Sequence, residues 1–481
     1  MAGNGGSLNI KKVRELVAAG GGDWQPSSTE LWRLPLAKKR LRLGAVPPGT
    51  TMVAREELAR RRIAPEAAAP GAYPVSHDWR SVGGLSYVTG IRDQGGCGSC
   101  VAFGTAATVE TTARVLFGAA LAIDISEAQL FYCVAKDKGS TCETGWWPDE
   151  AFAAFERMGI TDEAHFAYTA GDRNCGLSSG WQNVVSKLTG WHPLTSTAEM
   201  KTWLSTRGAL SACFTVYEDF YAYGSGVYTH HTGAEVGGHC VSVVGYDDTQ
   251  KCWICKNSWG SGWGEAGFFR IGYGQCGIEA EMWAADGVIV PSTNTVPLYR
   301  YWNSSTFDHF YTTSWAELGN GKYGYRWEET QCYVFATQQP GSVPLYRYWN
   351  SKLGDHFYTT NWAELGAGRA GYAYEGIQCY VFPAAGHKNA ALYRYWNATG
   401  GDHFYTTNYD ELRSEGHGYH LEMTQAFVPA GPAATAATRE VDAVPESFRA
   451  GEVSTPRASR AGAPATFTVD QDVRQEAFQR Q

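Results

Sequence analysis

The hexapeptide Leu-Tyr-Arg-Tyr-Trp-Asn begins at Leu298 and returns at Leu345 and Leu392, while Asp-His-Phe-Tyr-Thr-Thr begins at Asp308, Asp355 and Asp402, a period of 47 residues. A period of this size makes residues 293–430 three copies of one supersecondary unit, each able to bury its apolar face only against the others. An all-β domain of threefold symmetry follows, with a β-trefoil as the expected form and a propeller-like arrangement as the alternative. Each copy alternates aromatic faces with hydrogen-bonding side chains. That composition suits a glycan-binding surface, and equally the repeated core of the domain itself.

Composition divides the rest. Ten of the twelve cysteines fall in residues 73–292, and residues 1–72 contain none. Residues 1–70 hold 12 Lys and Arg against 6 Asp and Glu, and the remainder holds 28 against 42, so a basic leader precedes an acidic body. Its basic residues are interleaved with Leu, Val and Trp, which suits an amphipathic segment docking on an acidic surface and argues against nucleic acid as a partner. A helical apolar period runs from Ile10 to Val17. No membrane span is expected, because Asp124 and Glu127 interrupt the best apolar stretch far short of the roughly 18 to 20 residues needed. The opening MAGNGGSLNIKKVREL lacks the order of a secretory signal, whereas twelve cysteines favour an oxidising compartment, so an extracytoplasmic location is expected without a recognisable address. Residues 431–481 are rich in Ala, Thr, Pro and Ser without apolar periodicity and are expected to be a disordered tail.

The chemistry concentrates in residues 93–110, DQGGCGSCVAFGTAATVE. Cys100 opens an apolar-periodic helix among small residues, where the helix N-terminus favours thiolate over thiol. A thiolate needs a proton partner, and His239 begins the strand-like run HCVSVVGY. The imidazole needs orientation, and Asn257 in CKNSWGSGWG supplies a carboxamide, with Trp259 to cover the pair from water. Each feature alone is common in structural roles. Together, in this order, they resemble the papain-like cysteine protease family: Gln94 and Cys100 match its QGxCGSC signature, His239 its histidine, and Asn257 with Trp259 its NSWG segment.

That resemblance spans about residues 74–290. It implies an α+β fold of two lobes, one helical and one β-barrel-like, and an endopeptidase that needs no cofactor and no metal. Cys100 would attack the scissile carbonyl, His239 would shuttle the proton, and Gln94 with the Cys100 backbone N–H would hold the oxyanion. Val101 departs from the family, which has Trp after the nucleophile. By similarity Cys97 pairs with Cys142 and Cys133 with Cys175. A zinc reading of Cys252 and Cys255 is disfavoured, since three residues apart on a strand they face opposite ways.

In the same way Gly145, Trp146 and Gly238 are expected along the substrate groove. Glu281, five residues after the cysteine of CGIEAE, matches the floor of the pocket for the second residue upstream of the cut, where a carboxylate would accept Arg or Lys. Residues 1–72 resemble the propeptides of some microbial papain-like enzymes and would silence Cys100 as the enzyme's own inhibitor until removed near Tyr73. The repeats resemble three-copy domains on secreted microbial hydrolases. The competing reading is an inactive papain-like scaffold that serves as a lectin or adhesin through residues 293–430. The expected partners are protein or peptide substrates, the propeptide, and glycans on the repeats.

Overall fold

The segment CVAFGTAATVETTARVLF has small or apolar side chains on every face, and such a helix has to be buried all round. In the computed structural model, which describes residues 8–62, 73–386 and 388–431, it forms the helix Cys100–Phe117 at the centre of the molecule. Its small residues allow close approach to the strand Glu235–Asp247, so that a Cβ on Gly104 would stand 3.0 Å from the Cys240 sulfur. With the helices Gln129–Ala135 and Pro148–Arg157 it makes one lobe, stapled by disulfides Cys97–Cys142 and Cys133–Cys175, the pairs the resemblance implies. Each bond contributes about 2 to 4 kcal/mol by restricting the unfolded chain.

The second lobe is an eight-stranded sheet. At its middle, Leu210–Tyr217 pairs antiparallel with Glu235–Asp247, which pairs with Cys252–Lys256. The run HCVSVVGY is buried on both faces, which explains why its apolar residues do not alternate with polar ones. Cys252 and Cys255 both lie buried on the strand Cys252–Lys256.

The basic leader folds onto this lobe. Its helix Ile10–Ala19 turns Val13 and Val17 inward, and Gln25–Pro26 adds to the strand Tyr223–Ser225. Trp24, 1% exposed, packs on Tyr228 at 5.3 Å and donates its indole N–H to the Thr229 carbonyl at 3.0 Å. Apolar burial of Val13, Val17, Trp24, Leu31 and Leu43 therefore holds the leader more than the general charge contrast that the sequence suggests. The cleavage region before Tyr73 and the tail after residue 431 lie outside the described residues.

Each repeat is a separate antiparallel sheet with the Leu-Tyr-Arg-Tyr-Trp-Asn strand in the middle, as Val296–Asn303 lies between Asp308–Thr312 and Arg326–Val334. The three sheets meet around an axis through two rings of side chains. Tyr311 donates to the Tyr405 carbonyl at 2.8 Å, Tyr405 to that of Tyr358 at 2.7 Å, and Tyr358 to that of Tyr311 at 2.7 Å. The fully buried Asp308, Asp355 and Asp402 receive His356, His403 and His309 at 2.6, 2.7 and 2.5 Å, each from a different repeat.

This arrangement differs from the trefoil expectation. A trefoil closes its strands into one barrel, whereas among the described residues backbone pairing between strands of different repeats is limited to isolated bridges such as Phe335 with Tyr380 and Phe382 with Phe427. Side-chain rings do the closing, so three blades form instead. Nor are they a loosely tethered module. Leu298, Tyr333 and Val334 share one apolar core with Leu188, Val288 and Ala106, and the buried Lys187 ammonium pairs with Glu329, which Arg300 also contacts at 3.1 Å.

Candidate active site

Cys100 is the first residue of its helix and is fully buried. On the other lobe, His239 and Asn257 sit on the strand Glu235–Asp247 and just after Cys252–Lys256, so antiparallel pairing of those two strands brings them together. His239 Nε2 and Asn257 Oδ1 are 2.7 Å apart. Nδ1 makes no well-formed hydrogen bond among the described residues, and the backbone of Arg42, from the leader, is the group that interacts with the ring there. Trp259, 4% exposed, lies over the imidazole at 4.6 Å between ring centroids. Val101, at the departing position, is fully buried in the core beneath the site.

Gln94 has its amide oxygen fixed by the Ser258 hydroxyl at 2.7 Å, which turns the amide nitrogen toward the cleft. That nitrogen donates to the Cys97 carbonyl at 2.8 Å and to the carbonyl of Arg42, a leader residue, at 3.1 Å. Ser258 is a positioning residue that motif reading passed over, although it stands inside the NSWG segment.

The leader backbone fills the groove. Gly44 accepts from the Trp146 N–H at 2.7 Å, Val46 donates to the Trp146 carbonyl at 3.0 Å, and Gly44 and Ala45 both donate to the Gly238 carbonyl at 3.1 Å. Ala45 and Trp146 run parallel. Only glycine fits at position 44, because a Cβ would lie 1.8 Å from the Gly98 carbonyl oxygen. At Gly145, φ is +71° and a Cβ would meet the Gly44 oxygen at 2.2 Å. Gly145, Trp146 and Gly238 are thus all in contact with leader backbone.

Beyond them, Arg55 reaches Glu281 at 2.9 Å, with its guanidinium 4.6 Å over the Trp147 ring. Both charged side chains are largely withdrawn from water, at 21% and 25% exposed. No local pattern marks Arg42, Gly44 or Arg55 in the sequence, since their partners lie far along the chain.

Burial sets the electrostatics. Burial pushes His239 down to about 4, against the opposing hydrogen bond with Asn257. Burial, helped by the neighbouring Cys240, pushes the Cys100 thiol up. Both groups are therefore held neutral near pH 7 in this leader-bound structure.

The geometry can be set beside known proteins. The family model described as papain family cysteine protease matches residues 73–285. Cathepsin B-like CP3 of Giardia intestinalis is 38% identical over 207 residues, which cover 40% of this chain and 68% of that protein. The chain belongs to the papain family of cysteine proteases. Pro-cathepsin H of Mus musculus is 35% identical over 219 residues, 44% of this chain and 64% of that one. The solved structure of proCathepsin B S9 from Trypanosoma congolense aligns with 60% of this chain and 99% of its own at 24% identity and a TM-score of 0.47. This papain-family chain spans between 56% and 68% of the length of the curated relatives it matches. A domain of unknown function, DUF5648, matches residues 270–382 and again 297–429, two overlapping registers of the repeats. No described helix is long and apolar enough to cross a membrane.

The repeat residues that suggested a sugar-binding face are largely spent inside. Tyr301, Tyr348 and Tyr395 are fully buried, as are the three aspartates, while Asn303, Asn350 and Asn397 are at most 7% exposed. The core reading accounts for them.

Proposed function

We propose that this chain is a cysteine endopeptidase produced as a zymogen, with Cys100 as nucleophile and residues 8–62 as its inhibitor. The observation that carries this reading is the leader carbonyl of Arg42 on the Gln94 amide, 3.1 Å away, at the entrance to the Cys100 helix. A carbonyl oxygen there occupies the position a substrate's developing oxyanion would take, and removing such a donor costs about 3 to 4 kcal/mol in the transition state. Once the leader leaves, water re-enters and the Cys100 proton can pass to Nδ1 of His239. The thiolate then attacks the scissile carbonyl, His239 protonates the leaving amine, and water releases the acyl group by the reverse path. Asn257 holds the ring through Nε2, and Trp259 keeps water from that contact.

Arg55 on Glu281 supports a preference for Arg or Lys at the second substrate residue upstream of the cut, because the pocket already accommodates a guanidinium between a carboxylate and the Trp147 face. The inhibitory contacts extend to residue 55, so a leader peptide ending at residue 50 would lack one of its anchors. Two disulfides support an oxidising, extracytoplasmic compartment. The test compares hydrolysis of Arg-Arg and Phe-Arg fluorogenic peptides by activated wild type and Glu281→Gln. A preference for Arg-Arg falling about tenfold in the variant is expected, and an unchanged ratio removes Glu281 from the reading.

A further inference from the structure

Aromatic faces and unspent polar groups do meet at one place outside the cleft, where residues 177–182 of the peptidase seat on the first repeat. A pocket of about 260 Å³ opens there, close to the lower end of the range typical of small-molecule sites. Ser178, Ser179, Trp181 and Gln182 line one side, and Trp315 and Asn320 the other. We propose that this junction binds a neutral saccharide, held jointly by the peptidase and the first repeat. The proposal goes beyond the peptidase reading and does not depend on it.

Three features specify the ligand. First, no charged side chain lines the pocket, which disfavours phosphates, carboxylates and cations and leaves a neutral polar molecule. Second, none of the side chains of Ser178, Ser179, Gln182 and Asn320 makes a hydrogen bond to another described residue, and Gln182 is only 9% exposed. Its amide, like the other three polar groups, still reaches solvent at the pocket, where a polyol offers both donors and acceptors to it. Third, two indoles bound the space. Trp327 stands between them, edge-on to Trp181 at 5.4 Å and 89° and to Trp315 at 5.9 Å and 73°, and Tyr299 supports Trp315 at 5.0 Å. These contacts hold the two indoles in place at little further entropic cost, while the surface open to a ligand is mainly polar.

The site is built once. One period on, Asn320 is replaced by Ala367 and Ser414, and Trp327 by Tyr374 and Leu421. Lys187 meets Glu329 only in the first repeat, since Gly376 and Met423 hold the equivalent positions. One sugar per chain is therefore expected, although the repeats number three.

The experiment titrates glucose, galactose, mannose, N-acetylglucosamine and the β-1,4-linked dimers of glucose and of N-acetylglucosamine into the full chain carrying Cys100→Ala, which prevents self-digestion. Calorimetry gives the stoichiometry, and saturation-transfer NMR gives the bound protons. At least one probe should bind with a single site per chain. Gln182→Leu and exposed Asn320→Ala should each weaken it about three- to tenfold, while Trp362→Ala in the second repeat should leave it unchanged. No binding at concentrations up to about 10 mM, well above a millimolar Kd, would overturn the site. So would three equivalents per chain, or indifference to Asn320→Ala in protein whose unfolding transition is unaltered. Because the variant is already inactive, each of these failures leaves the peptidase reading untouched, and lost peptide hydrolysis in the wild type would leave the sugar site untouched.

Discussion

His239 and the three repeat histidines, His309, His356 and His403, are all buried, but their partners differ. In the peptidase, Nδ1 of His239, Nδ2 of Asn257 and Nε1 of Trp259 are buried without a well-formed hydrogen bond among the described residues. In the repeats, each histidine has Nδ1 on an aspartate of another repeat and Nε2 at 3.8 Å from a glutamate, Glu328, Glu375 or Glu422. The difference separates a group kept available for chemistry from one used up in holding blades together. Residue type does not distinguish the two; the completeness of the hydrogen bonding does.

Four changes test that contrast. The largest effect belongs to Cys100→Ala, which should lower peptide hydrolysis by leader-free enzyme on the order of 10⁴-fold or more, with labelling by an epoxysuccinyl inhibitor lost in parallel. Residual turnover near wild type would remove Cys100 from the mechanism and favour the silent-scaffold reading. Next, Asp308→Asn breaks one link of the ring around the repeat axis and leaves His356 without its carboxylate. Breaking a buried pair of this kind costs about 3 to 5 kcal/mol, so denaturant unfolding should shift strongly while kcat of the folded, activated enzyme stays within about twofold. A collapse of kcat without loss of stability would show that the repeat histidines are not purely structural.

Gln94→Ala should reduce kcat by about 10² to 10³ with a smaller change in KM, because its amide acts mainly on the transition state. The smallest effect is one of pH. Leader-covered His239 is held at about 4, below the ordinary histidine value of about 6.5. The covered state therefore binds fewer protons, and acid favours the uncovered one. Inhibition of mature enzyme by a peptide of residues 8–62 should weaken as pH falls from about 6.5 toward 4, by at most about tenfold per unit. Inhibition that is flat between pH 6.5 and 5 would show that covering His239 is not part of silencing.

Much of the candidate site was legible because its motifs are local: DQGGCGSC and NSWG carry on short segments the residues that the family resemblance assigns as nucleophile, oxyanion donor and orienting amide. The leader's grip was not. Arg55 and Glu281 are 226 residues apart, and nothing near either one announces the other. The aromatic repeats were legible as three copies but ambiguous in use, since Tyr, Asp and His at a regular period describe a sugar platform and a core equally well.

The linear sequence by itself determined membership of the papain family, because residues 93–110, His239 and Asn257 resemble its motifs when taken together and in that order. It also determined that residues 293–430 are one unit three times over. Only the tertiary structure decided that the repeats are blades closed by side chains, that the first blade is fixed to the peptidase through Lys187 and Glu329, and which histidines are spent. The physical reason is that a buried polar group is defined by its partners, and those of His356 and His309 lie 48 and 93 residues away, brought into reach only when the three sheets close around their axis.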